Sequence, residues 1–110
     1  MNEIKFFVQG SAPEPYLVVF RKSENNLSGL CNCPAGENGM YCKHRFRILA
    51  GSSEGVVSEN IKDVEIVKNW VKGSDVEKAL DELHQTETDL EKMKKKVSAL
   101  KKKLARTLID

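Results

Sequence analysis

Cys31-Asn-Cys33-Pro-Ala-Gly-Glu-Asn-Gly-Met-Tyr-Cys42-Lys-His44 holds every cysteine of this 110-residue chain and one of its two histidines. Three sulfur donors and one imidazole are the set that Zn2+ prefers in a closed tetrahedral site. A closed site leaves no open position for substrate. The expected ion therefore builds structure, and function is sought on the surface it holds in shape. In Cys31-x-Cys33 the side chains lie two apart, so an extended segment points both to one face. Cys42-x-His44 supplies the second pair. Pro34-Ala-Gly-Glu-Asn-Gly39 between them is rich in turn formers, which lets the chain reverse around an ion.

Other readings of the cluster are weaker. A disulfide framework fits poorly, because three cysteines are odd and Met1-Asn-Glu-Ile-Lys-Phe-Phe-Val8 is too short and too charged for a secretion signal. Buried inert cysteines would not gather beside a histidine by chance. A redox-sensing or iron-binding cluster stays open as the alternative to zinc.

The pattern C-x-C, a gap, then C-x-H resembles the SWIM-type zinc finger. Cys31, Cys33, Cys42 and His44 match its ligand positions. Tyr16-Leu-Val-Val-Phe20 stands where that family has a strand. Pro34 follows the second cysteine, Lys43 sits inside the C-x-H, and Arg45-Phe-Arg-Ile-Leu-Ala50 stands where the family has its helix. The likeness spans roughly residues 14–51. It implies a ββα zinc module used for DNA binding or for protein contacts, and it does not choose between them.

The chain carries 18 basic and 16 acidic side chains, so bulk charge does not call for nucleic acid. Three thiolates on one divalent ion would leave the site one unit negative. No apolar run is long enough to span a membrane. A cytoplasmic protein is expected.

Three parts are expected, giving an α+β chain: a SWIM-like zinc module over 1–51, a linker and connecting helix over 52–73, and a coiled-coil helix over 74–110. Ile4-Lys-Phe-Phe-Val8 and Tyr16 to Arg21 read as strands. Ser23 to Gly29 reads as a turn, and Leu30-Cys-Asn-Cys33 as the returning strand. Phe46, Leu49 and Ala50 share one face of a short helix that Gly51 stops. Gly51-Ser-Ser-Glu-Gly55 reads as linker. Ile61, Val64, Val67 and Val71 then predict an amphipathic helix over 58–72, although Val64-Glu-Ile66 alternates like a strand. Trp70 is expected against the core.

Ser74-Asp-Val-Glu77 is a capping box. From there to Ile109 the chain has neither glycine nor proline. Val76, Leu83, Leu90, Val97 and Leu104 recur every seven residues, and Ala79, Thr86, Met93, Leu100 and Thr107 fall three later. These are a and d positions of a coiled coil. The expected association residues are Val76, Leu83, Leu90, Met93, Val97, Leu100 and Leu104. Such a seam needs a partner unless it folds back on the rest of the chain. Residues 75–91 hold seven acids and one base, whereas residues 92–106 hold eight bases and no acid. Like charges would meet in a parallel pair, so an antiparallel homodimer is expected, with a different helical protein as the other candidate.

Arg21, Lys22, Lys43, Arg45 and Arg47, with Tyr41 and Phe46, could form a face for DNA phosphates. Against that, residues 1–74 hold nine bases and eight acids. The sequence therefore favours a protein-binding adaptor with a structural zinc and a dimerising helix, and keeps a DNA-binding zinc finger as the alternative. No catalytic residue is expected. Four strong ligands leave no site for water on the ion, and His84 falls on an exposed b position of the long helix.

Overall fold

The computed structural model describes residues 2–109. It has an α+β fold with three antiparallel strands, β1 (Asn2–Val8), β2 (Tyr16–Ser23) and β3 (Asn26–Cys31), in the order β1-β2-β3. Four helices follow: α1 (Pro34–Glu37), α2 (Lys43–Leu49), α3 (Asp63–Val71) and α4 (Glu77–Ile109). The chain divides into two compact units, one ending at Glu77 and one running from Lys78. Residues 52–73 thus belong to the first unit together with the cysteine cluster.

One sheet face builds the core. Phe6 faces Val18, and Phe20 faces Gly29 across the strands. Phe6, Val18 and Phe20 are fully buried, and the two phenyl rings meet edge to face with centroids 6.3 Å apart. Each buried phenylalanine contributes roughly 2–3 kcal/mol of apolar burial. α2 adds Ile48 to this core and packs on β3 and α3, while α3 buries Val64, Val67 and Val71. Trp70 is half-buried.

The hairpin is tighter than the expected turn over 23–29. Ser23 pairs with Asn26, so only Glu24 and Asn25 turn the chain. Glu24 takes φ +53°, the sign that two-residue hairpins require at their first turn residue. Ser28 and Gly29 therefore lie in β3. Gly29 reads as a turn residue in sequence, but its role is clearance. A Cβ there would stand 2.8 Å from the Phe20 ring.

The helix expected over 58–72 starts only at Asp63, and Val64-Glu-Ile66 is helical within it. The residues before it are used along the open edge of β1. Gln9 N–H donates to the Gly55 carbonyl and Val57 N–H to the Phe7 carbonyl, both at 2.8 Å. Phe7 N–H donates to Ser58 Oγ, and Asn60 Nδ2 donates to the Lys5 carbonyl at 2.8 Å. A segment bonded in this way cannot also wind into a helix. Ile61 stays 46% exposed, outside the α3 seam.

β3 is the other sheet edge, and it too is occupied. Asp75 Oδ1 accepts Leu27 N–H at 2.9 Å, and Asp75 N–H donates to the Asn25 carbonyl at 2.8 Å. Covered edges do not template pairing with another strand.

α4 is one unbroken helix of 33 residues, about 50 Å long. The capping box at its start is displaced by one residue. Ser74 Oγ accepts Val76 N–H at 3.2 Å, and the Glu77 carboxylate accepts Gly73 N–H at 3.4 Å. Val76 precedes the helix and is half-buried in the first unit. Among the described residues no helix is long and apolar enough to cross a membrane.

Candidate metal centre

Cys31, Cys33, Cys42 and His44 converge. Their donor atoms all lie within 4.8 Å of one another. Cys33 and Cys42 Sγ are 3.5 Å apart, His44 Nδ1 lies 3.6 Å from Cys42 Sγ, and it lies 3.9 Å from Cys31 Sγ. A tetrahedral ion with metal–sulfur bonds of about 2.3 Å requires donor separations of about 3.7 Å. The four side chains therefore fit such an ion. All four are buried, with exposures of 2–7%.

Local structure explains the convergence. Cys31 ends β3 on the core face, paired with Val18. Asn32 then pins the chain to β2: its N–H donates to the Leu17 carbonyl at 3.2 Å, and its Oδ1 accepts Leu17 N–H at 2.9 Å. The residue between the two cysteines thus anchors both of them. Cys33 stays extended and caps α1, with Pro34 as the first helical residue. Cys42 caps α2, and His44 is the second residue of that helix. Both helices direct positive N-termini toward sulfur.

Backbone amides also address the sulfurs. Cys33 N–H donates to Cys31 Sγ at 3.5 Å, and Gly36 N–H donates to Cys33 Sγ at 3.3 Å. Burial pushes the Cys31 thiol up to about 12. A bound cation is what converts such a thiol to thiolate. Burial also works to raise Cys42, but the Arg45 amide, the neighbouring Cys33 and Cys31 thiols and the Arg45 side chain outweigh it and hold Cys42 below the ordinary thiol value. Burial first, and then the charges of Lys43 and Arg47, hold the His44 imidazole below its ordinary value. A neutral imidazole is the form that ligates metal.

His44 Nε2, turned away from the cluster, is buried and has no protein partner. The Tyr16 ring lies beside the imidazole with centroids 5.0 Å apart. An open cleft of about 370 Å³ reaches the site, lined by Cys33, Cys42 and His44 together with Tyr16, Tyr41 and Lys43.

The five basic residues singled out in the sequence are placed differently from one another. Arg45 is half-buried and bridges two carbonyls, Gly29 at 3.2 Å and Met40 at 2.7 Å. Arg21 pairs with Glu3 at 2.6 Å, and this neighbour holds the Glu3 carboxyl below its ordinary value. Lys22 donates to the Glu24 carbonyl. Arg47 lies 3.9 Å from Glu54. Lys43 is exposed beside the cleft. Tyr41 is 68% exposed and packs edge to face on Phe46.

Of the residues expected to associate, Leu90, Met93, Val97, Leu100 and Leu104 are 47–61% exposed along α4, and Leu83 is half-buried. Sequence reasoning missed Asn32, Gly36, Asp75 and the internal role of Arg45. Asn32, Asp75 and Arg45 each reach a backbone group far along the chain, and Gly36 packs on the Cys31 backbone, which no spacing pattern reveals. Comparison with family models, curated proteins and solved structures finds no match.

Proposed function

We propose that the chain is a zinc-stapled interaction module of the SWIM type, a ββα unit elaborated by an extra strand, whose long helix pairs with a partner as a coiled coil. The convergence of four buried donors with tetrahedral separations carries this reading. Three sulfurs and a nitrogen favour Zn2+ over harder ions. The ion would be held by Cys31, Cys33, Cys42 and His44, and its task would be structural rather than catalytic. All four donors are strong and buried, which supports a closed structural site over a catalytic one.

Protein binding is favoured over DNA. Arg45, Arg21 and Arg47 are each committed within the chain, and Lys43, Arg45 and Arg47 surround a site that would be one unit negative once zinc is bound. Their charge offsets the site itself. The sheet face opposite the core offers apolar contacts instead. Phe7, Leu30 and Val57 are 48–55% exposed there, on the same side as Leu17 and Val19.

Cobalt substitution tests the metal assignment. A tetrahedral thiolate spectrum at one equivalent of cobalt, displaced by zinc, is expected. A five- or six-coordinate spectrum would remove the structural assignment. Fluorescence anisotropy against duplex and single-stranded DNA near physiological salt separates the two ligand classes. Salt-resistant micromolar binding lost in Lys43→Ala would reverse the preference for protein.

A further inference from the structure

The long helix leaves its apolar seam open and its charge uncompensated. α4 buries no residue, and its one ion pair among the described residues joins Lys94 to Glu91 at 3.6 Å. Among the described residues, the acids before Glu91 and the bases after Lys92 otherwise have no intramolecular ion-pair partners. We propose that a second copy of this chain covers the seam, antiparallel and fully overlapped, on a two-fold axis that passes between Glu91 and Lys92. The inference rests on the helical arm of the proposed function and names its partner.

The apolar layers set that axis. In an antiparallel pair each a position faces a d position of the other helix. Placing Leu90 opposite Met93 of the second copy puts Leu83 opposite Leu100. The same placement seats the small d residues against large ones: Ala79 meets Leu104 and Thr86 meets Val97. A parallel pair would instead set Ala79 on Ala79 and Thr86 on Thr86, leaving two poorly filled layers. Val76 lies outside α4 in the first unit, so the seam runs from Ala79 to Leu104.

Charge chooses the same axis independently. The boundary between the acidic and basic blocks falls between Glu91 and Lys92, which is the midpoint that the layers require. Around it the flanking e and g positions bring Glu82 to Lys103, Glu87 to Lys94 and Asp89 to Lys96, and the two-fold repeats each pair. No like charges meet at these positions. In a parallel pair Glu82 would face Glu87 and Lys96 would face Lys101, both repulsive, and Asp89 with Lys94 alone would attract. Two unrelated properties of the helix, residue size and charge sign, thus agree on one orientation and one register.

Sedimentation equilibrium of the full zinc-loaded chain tests the proposal, with Glu87→Lys as the discriminating variant. Antiparallel pairing turns two attractive contacts repulsive in Glu87→Lys, so dissociation should strengthen about tenfold. The double change Glu87→Lys with Lys94→Glu should restore the wild-type constant. Parallel pairing predicts the opposite for Glu87→Lys, because Lys would then face Glu82 and tighten the dimer. Tightening, or no change, overturns the orientation. A wild-type monomer at tens of micromolar overturns self-association, while zinc loading measured on the same sample shows separately whether the metal assignment stands.

Discussion

Gly36 packs against Cys31 so closely that a Cβ at Gly36 would stand 2.5 Å from the Cys31 carbonyl oxygen and 2.9 Å from the Cys31 Cβ. The obstacle is backbone, which cannot swing aside. Alanine is ordinarily the better helix former, yet here Gly36→Ala should lift α1 from β3. That motion would pull the Gly36 amide from Cys33 Sγ and open the cluster. A stability loss of about 2–3 kcal/mol is expected, at the upper end for overpacking. Thermal melts with a zinc-affinity titration check it. A variant as stable and as tight as wild type would show that α1 does not set the site.

Chelation or Cys33→Ala should unfold the first unit and leave helical signal from α4. The first unit is small for an apolar core alone, so the proposed zinc would supply much of its stability. Far-UV circular dichroism should show partial loss of signal, with tryptophan emission from Trp70 shifting to the red. An unchanged melt after verified metal removal contradicts this.

Arg45→Ala should destabilise the first unit by about 1–3 kcal/mol, because it leaves the carbonyls of Gly29 and Met40 without their donor. Arg45→Lys should recover only part, since one ammonium cannot reproduce a planar two-armed bridge. Denaturant titration of the zinc-loaded protein measures both. Equal stability of all three proteins would mean that the bridge contributes nothing.

Asp75 sits in a run of acids but works as a clasp on the hairpin edge. Asp75→Ala should cost about 1 kcal/mol and speed amide exchange at Leu27, while Asp75→Asn keeps an acceptor oxygen and should be nearly neutral. Hydrogen exchange at Leu27 that ignores both variants would refute the clasp.

Acid should release the metal. The folded-state pKa of His44 lies below its ordinary 6.5, so between those values the unfolded chain binds more protons than the folded one. The stability this provides is present above pH 6.5 and is lost as pH falls through the window beneath it. Metal binding acts in the same direction, since it takes a neutral imidazole and displaces the thiol proton that burial holds on Cys31. Zinc affinity measured by competition should therefore fall steeply below neutral pH, and proton release should accompany binding at pH 7. A flat affinity profile between pH 5 and 8 is the contrary result.

The cluster of possible donors was legible because donor chemistry is local. Donors two apart on extended chain share a face, as Cys31 and Cys33 do, and the structure brings Cys42 and His44 to them at the start of α2. The strands at 4–8 and 16–21 and the unbroken helix to Ile109 were legible for a similar reason: β-branched runs, and the absence of glycine and proline, act within a few residues. Boundaries were not. Ser58 and Asn60 fall inside the helix expected over 58–72, but the open edge of β1 takes their side chains and α3 starts only at Asp63. Gly29 reads as a turn, but the hairpin turns at Glu24 and Asn25 and pairs Gly29 with Phe20 in β3.

The sequence by itself determined the donor set, the α+β class and the register of apolar and charged positions along α4, since each follows from covalent spacing and side-chain chemistry. Tertiary structure alone decided that Arg45 and Asp75 bind the chain's own backbone, that Asn32 anchors the two flanking cysteines, and that Gly36 must be glycine. The glycine is required by the nearness of the Cys31 backbone, and the other roles depend on which carbonyls and amides are left unpaired when the sheet forms. Such groups are identical in every residue, so sequence carries no mark of them until folding brings a partner within reach.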